Sequence, residues 1–466
     1  MVMCYRMFNM AAGTLTWAKG WLWPVLVVGT CLVLCDCAAE RDCKPGPKVK
    51  NQDWGYVDVR PAAHMFWWLY YKTDKPATST PTPLILWLQG GPGGSGTGFG
   101  NFQEIGPLDI SQQPRNTTWL SAANLLFIDN PVGTGYSYVT NRNAYATNVS
   151  MVATDLVTLL KDFFSCKTDL QKVPFYIFCE SYGGKMSAAL AQMLNKAVKQ
   201  GEVKCNLKGV ALGDSWISAM DYVNTWGPYL KATSLLDHVG LQAVQKSAEM
   251  AQAAVDQGRW KNATELWSRT EDVLEEFSNG VSFYNILGDK VKFEVSGSKT
   301  PNFGNPAIEM LYRRHVSPLH APSLAELMNG PIKKYLGVIP EDVTWGAQSG
   351  EVFAMMAGDF MKPVIDIVDD LIQNTDLSVV VYNGQLDLIC NTIGTEAWVH
   401  RLKWPGLAQF DTKKWKPITS KEKTVGFVKT EDNFSFYWIL DAGHMVPADA
   451  GETALRMVTM VMGSQQ

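Results

Sequence analysis

Phe175-Tyr-Ile-Phe-Cys-Glu-Ser-Tyr-Gly-Gly-Lys185 is the stretch on which the fold reading turns. A short apolar run reaches a Ser, passes two glycines and continues into helix-favouring sequence. That is the context of a nucleophile elbow, where a tight turn lifts a Ser hydroxyl off a sheet edge toward a helix N-terminus. Ser181 is therefore the candidate nucleophile. The usual spelling is G-x-S-x-G, and here Cys179 replaces the first glycine. Close packing at that place wants a small side chain, and Cys is small without being minimal.

Similar apolar runs lie on either side, at Leu84–Leu88, Leu125–Ile128, Val210–Leu212 and Val379–Tyr382. Runs without polar alternation predict strands buried on both faces. Helical patterns such as Met151–Phe164 and Lys185–Val198 fall between them. Strand, turn and helix in repetition predict an α/β protein with a doubly wound, mostly parallel sheet and helices on both faces. After Ser215 the rhythm breaks. Residues 218–350 are helix-prone, with Leu241–Asp256 and Thr264–Phe277, then a looser Gly288–Asn305. Sheet-like order returns with Asp376–Asp387, so the helical stretch reads as an insertion above the sheet and not as a separate domain.

A nucleophilic Ser needs a base and an orienting acid, which in this context follow in the order Ser, Asp, His. The Val379–Tyr382 strand runs into Asn-Gly-Gln-Leu-Asp387, and Phe436–Leu440 runs into Asp-Ala-Gly-His444. Both Asp387 and His444 thus fall just past strand ends. His64, His238, His315, His320 and His400 sit in no comparable loop. Acyl transfer also needs donors for a developing oxyanion. The N–H groups of Gly91, in the glycine run after Leu84–Leu88, and of Tyr182, directly after the nucleophile, are the candidates. Gly91-Pro-Gly-Gly-Ser-Gly96 also fits G-x-G-x-x-G, but Pro, Asn and Gly continue through Pro107 where a dinucleotide site would open a helix.

Four runs agree in order and spacing with one family: Trp87-Leu-Gln-Gly-Gly-Pro-Gly-Gly94, Asp129-Asn-Pro-Val-Gly-Thr-Gly-Tyr-Ser137, Glu180-Ser-Tyr-Gly-Gly-Lys185 and Gly443-His-Met-Val-Pro447. The sequence resembles the serine carboxypeptidases. The resemblance implies an α/β-hydrolase fold over residues 40–466, removal of C-terminal residues from peptides at acid pH, and Ser181, Asp387 and His444 as triad. It places Gln89, Gly90 and Glu180 at the substrate's terminal carboxylate, and Cys390 and Met445 near a substrate pocket. A carboxylate beside an ionised Glu180 would be repelled, so Glu180 must carry or share a proton. Gln89 stands where the family has Asn, and Gly94 where it has Cys. An esterase or acyltransferase on the same triad, or a regulatory protein with a weak site, are the alternatives. The peptide chemistry calls on no metal or organic cofactor.

Composition sets only broad bounds. The chain has 466 residues, 46% hydrophobic and 18% charged, with 41 basic against 45 acidic side chains. That balance argues against nucleic acid as a partner and leaves peptide or protein C-termini as the expected ligands. Trp21 to Leu34 carries no charge, follows Arg6 and Lys19, and precedes small residues. It reads as a signal peptide over residues 1–39, too short for a bilayer span, which sends the chain to the secretory pathway, secreted or lysosomal. Asn116, Asn148, Asn262 and Asn433 head Asn-x-Ser/Thr triplets and are candidate glycosylation sites. Of the nine cysteines, Cys43, Cys166, Cys179, Cys205 and Cys390 lie beyond that segment. Cys166 with Cys205 is the expected disulfide.

Overall fold

The apolar strands divide their side chains between two cores. In β3 (Leu84–Leu88), Leu84, Leu86 and Leu88 enter one core while Ile85 and Trp87 enter the other. β6 (Pro174–Glu180) does the same, with Phe175, Ile177 and Cys179 on one side and Tyr176 and Phe178 opposite. A period of two with both faces buried is why these strands read as continuous hydrophobic runs. The computed structural model describes residues 51–73, 81–288 and 303–463. The expected signal segment, residues 1–39, lies outside them, as does most of Gly288–Asn305.

Among the described residues one sheet holds eleven strands. Besides β3 and β6 these are β1 (Gln52–Arg60), β2 (Ala63–Tyr70), β4 (Asn124–Ile128), β5 (Tyr138–Val139), β7 (Asn206–Gly213), β8 (Ser378–Gly384), β9 (Lys416–Ser420), β10 (Lys423–Glu431) and β11 (Phe434–Ile439). The order is β1-β2-β4-β3-β6-β7-β8-β11-β10-β9, with β5 paired to β2. From β4 to β11 neighbours run parallel, and both edges are finished by antiparallel pairs. α1 (Val149–Cys166) and α2 (Gly183–Lys199) pack into one core, while the helix Gly451–Val461 packs into the other. This is the α/β-hydrolase arrangement.

Between β7 and β8 the chain builds α3 (Ala219–Ala232), α4 (His238–Asp256), α5 (Trp260–Ser278), α6 (Pro306–His315) and the helix Ser349–Met356 before returning through Ile365–Asn374. Their ends carry local signals. Asp237 caps α4 by accepting the Gly240 N–H at 2.7 Å, and Asn305 followed by Pro306 opens α6. No helix among the described residues is long and apolar enough to cross a membrane.

Two sequence expectations are corrected here. Cys166 is disulfide-bonded, but Cys205 carries a free thiol, so the Cys166–Cys205 pair does not form. Cys205, just before β7, packs instead as a small apolar side chain in the core, and burial pushes its thiol up to about 12. Asn433 is a poor glycan acceptor. Its Nδ2 donates to the carbonyls of Ile372, Thr375 and Leu377 at 3.1, 3.2 and 3.0 Å, bonds that a glycan would disrupt. Asn116 is exposed, and Asn148 and Asn262 are partly so.

Replacing Cys205 with Ser should leave the Cys166 disulfide intact in non-reducing peptide mapping. Burying the hydroxyl should cost about 1–3 kcal/mol of stability, and loss of the disulfide in this variant would refute the assignment.

Candidate active site

The carboxyl ends of the parallel strands converge on one cleft, as an open α/β sheet requires of its ligand sites. At the end of β6, Ser181 has φ +61°, a left-handed conformation that costs an L residue free energy and is held by its surroundings. Its N–H donates to Gly213 O at 3.1 Å, and its carbonyl accepts from Gly184 N and Trp216 N, each at 2.9 Å. Gly184 must lack a side chain, since a Cβ there would meet Ser215 Cβ at 2.3 Å. Cys179, two residues earlier, points into the core beneath and not toward the cleft; its Sγ reaches Ala211 O at 3.4 Å. That side of the strand has room for a thiol, which explains how the elbow forms without its first glycine.

His444 follows β11 and Asp387 follows β8. The His444 Nδ1 lies 2.9 Å from Asp387 Oδ2, both residues being buried. The His444 N–H donates to Tyr284 O at 2.7 Å, tying the loop to the segment after α5. Nε2, the ring's other nitrogen, is buried without a hydrogen-bond partner and belongs to a residue lining the same cleft as Ser181. The second Asp387 oxygen accepts the Cys390 N–H at 3.2 Å. Cys390 itself is fully buried and does not line the cleft, where Ile389 and Met445 do. Met445 thus lies on the cleft, while Cys390 meets Asp387 from behind through its backbone N–H.

The glycine run after β3 packs directly on Ser181. A Cβ on Gly90 would meet Ser181 Cβ at 2.5 Å, and Gly91 has φ +110°. Tyr182 occupies the start of α2, where first-turn amides have no intrahelical acceptor. Beside them, Gln89 is gripped from both ends. Trp87 Nε1 donates to Gln89 Oε1 at 2.7 Å, which turns Nε2 toward Glu180 Oε1 at 2.9 Å and Glu104 Oε1 at 3.0 Å. Both glutamates are buried, and the Oε2 atom of each receives no N–H or O–H donor. Burial raises Glu104 to about 7. Burial and then the neighbouring Glu104 hold Glu180 well above the carboxylate range. Two neighbouring carboxyls that share the Gln89 amide and form no salt bridge hold protons that isolated ones would lose.

The serine carboxypeptidase family model matches residues 45–464. The chain belongs to the serine carboxypeptidase family. It is 55% identical over 411 residues to the retinoid-inducible serine carboxypeptidase of Mus musculus, covering 88% of this chain and 90% of that one. It is 44% identical over 456 residues to serine carboxypeptidase-like 51 of Arabidopsis thaliana, covering 95% and 98%. Among solved structures, the prohormone-processing carboxypeptidase Kex1 of Saccharomyces cerevisiae shares the fold, with a TM-score of 0.73 at 21% identity over 89% of this chain and 91% of that one. The protein is thus a serine-type carboxypeptidase acting on peptides.

Sequence reading missed several residues of this carboxypeptidase cleft. Glu104 had one signal, a lone charge in the otherwise uncharged Gly96–Ile105 segment. Trp216, Trp267, Tyr284, His315 and Phe360 line the cleft beside Ser181 and His444. Trp267 stacks on Phe360 and on His315, with ring centroids 4.5 and 5.2 Å apart. His315, unremarkable in sequence, has Nε2 2.8 Å from Glu271 Oε1 and Nδ1 2.8 Å from the Tyr284 hydroxyl. No local motif marks these residues, because they come from five separate segments between β7 and β8.

Trp87→Phe should remove the bond that orients the Gln89 amide. We expect KM for a free-carboxylate peptide to rise about tenfold, matching the loss of about one hydrogen bond to a buried group, with kcat little changed. An unaltered KM would show that Gln89 is oriented without Trp87.

Proposed function

We propose that Ser181 is the nucleophile, His444 the general base and then acid, and Asp387 the group that orients and electrostatically supports the imidazole. Ser181 Oγ attacks the carbonyl carbon of the last peptide bond as His444 Nε2 takes its proton. The N–H groups of Gly91 and Tyr182 face the oxygen that gains the charge. His444 then returns the proton to the departing amine, the C–N bond breaks, and the C-terminal amino acid leaves. Water, deprotonated by His444, attacks the acyl-enzyme and frees the shortened peptide.

Directionality comes from Gln89, Gly90 and Glu180, to which we add Glu104, as the receptor for the terminal carboxylate. The observation that carries this reading is the Gln89-bridged pair of buried carboxyls beside Ser181. An anion can approach two carboxyls only while they are neutral. Protonated Glu180 donates to the substrate carboxylate, and protonated Glu104 removes the remaining repulsion. The sign follows from the raised values. Below pH 7 both groups keep their protons and the receptor is neutral; as pH climbs through about 7, Glu104 ionises and repels the substrate. Because an unfolded Glu104 would already ionise near pH 4.5, holding its proton in the core also makes stability fall as pH rises from about 4.5 to about 7.

We place the protein in the secretory pathway, secreted or lysosomal. The uncharged run from Trp21 to Leu34 and the disulfide at Cys166 support this, because disulfides persist in oxidising compartments. Asn116, Asn148 and Asn262 are the acceptors expected to carry glycans there.

Matched peptides ending in a carboxylate or an amide separate the roles. KM for the carboxylate should rise at least tenfold between pH 5 and 8, whereas the amide should be a poor substrate with little such trend; Glu104→Gln should flatten the rise. Parallel trends for the two peptides would overturn the receptor. Labelling by a serine-reactive phosphonate should vanish in Ser181→Ala, and persistent labelling there would dismiss Ser181 as nucleophile.

A further inference from the structure

A second acid lies behind the proposed triad. Asp214 follows β7 directly, in the left-handed conformation at φ +40°, and is 1% exposed. Its N–H donates to Tyr382 O at 2.9 Å, anchoring it to the strand that leads to Asp387. Oδ1 accepts two hydrogen bonds, from Asn383 Nδ2 at 2.9 Å and Gly384 N at 2.8 Å. Oδ2 is buried and receives no N–H or O–H donor. A carboxylate oxygen left bare in a protein interior is costly. A protonated one is not, provided that its proton finds an acceptor.

The acceptor is at hand, because the Asp214 and Asp387 carboxyls lie within hydrogen-bonding reach of each other. Asp387 accepts the His444 Nδ1–H on one oxygen and the Cys390 N–H on the other, so it is the partner that gains by being ionised. Resting on the Ser181–His444–Asp387 reading, we propose that Asp214 is a positioning residue for this reaction: its Oδ2–H donates to the Asp387 carboxylate and fixes the carboxylate plane that aims His444. Burial first, and the Asp387 charge second, hold Asp214 well above the carboxylate range. The other titratable groups around it are Glu180 after β6, Tyr382 in β8, Cys390 after Asp387, and His444 and Asp449 beyond β11. Of these only His444 can become a cation, so its partner acid carries a single shared negative charge. The triad acid is a hydrogen-bonded pair, Asp214–H with Asp387.

The arrangement distinguishes two substitutions. Asp214→Asn keeps an oxygen for Asn383 and Gly384 and offers an N–H to Asp387 that no pH removes. Asp214→Ala removes acceptor and donor together. The rate of inactivation by a small serine-reactive phosphonate reads the His444-assisted nucleophile without engaging the carboxylate receptor. Measured on the mature protein at pH 5.5, Asp214→Ala should lose on the order of a hundredfold, the cost of a misaimed catalytic group. Asp214→Asn should recover all but about fivefold of that loss, and kcat on a free-carboxylate peptide should follow the same order with KM little changed. At alkaline pH the wild-type rate should fall as Asp214 loses its proton, and Asp214→Asn should hold its plateau to at least about one pH unit higher. Two results would overturn the proposal: Asp214→Asn inactivating as slowly as Asp214→Ala, or an alkaline limb in Asp214→Asn that superimposes on wild type. The triad reading fails separately, by labelling that survives Ser181→Ala.

Discussion

Four carboxyl groups, Glu104, Glu180, Asp214 and Asp387, are buried at one end of the sheet, and among the described residues no Lys or Arg forms an ion pair with any of them. Isolated charges in such surroundings would cost several kcal/mol each. The protein meets this constraint with protons and with neutral donors. Gln89 bridges Glu104 and Glu180, while Asn383 and backbone N–H groups hold Asp214 and Asp387. In the proposed mechanism one pair must be neutral to admit a carboxylate, and the other must keep a single negative charge to face an imidazolium. Both demands are met most easily in acid. The acid preference proposed for this site is therefore a property of how the acids are buried, and not of any one catalytic pKa.

The strand ends were legible because their signals are local. A continuous apolar run says that a strand is buried on both faces, and Gly, Ser or Asp at its end marks the turn. Ser181, Asp387 and His444 could thus be selected before any contact was known, and the family resemblance added Gln89, Gly90 and Glu180. Glu104 was hidden because its meaning depends on Gln89, fifteen residues away in sequence and one hydrogen bond away in space. His315 was set aside for want of a strand beside it, whereas its place in the cleft is fixed by Glu271 and Tyr284 from other parts of the insertion. Cys205 misled because an odd set of cysteines states a count and leaves the geometry open. Pairing is decided by where helix and strand ends come to lie, and Cys205 lies within the core.

The insertion is also bound to the elbow, which explains why Ser181 and the pocket wall keep their relation. Lys185 stands in the first turn of α2, where the helix dipole disfavours a cation, and it is fully buried. Burial accordingly lowers it to about 8. What holds it there is the loop after the helix Ser349–Met356. Lys185 Nζ donates to Asp359 O at 2.6 Å, Asp359 Oδ2 at 3.2 Å and Phe360 O at 3.3 Å, and the Tyr182 hydroxyl donates to the same Asp359 Oδ2 at 3.0 Å. Tyr182 and Lys185 thus grip the backbone that presents Phe360 to the cleft, and the Tyr182 and Phe360 rings stack at 5.2 Å. Since Tyr182 is also the residue whose N–H is proposed to hold the oxyanion, a shift of the aromatic wall would be felt at the point where charge develops. A helix begun immediately after Ser181 can thereby serve two ends at once: its free N–H groups lie beside the proposed site of attack, and its first side chains fasten the roof of the pocket to the sheet.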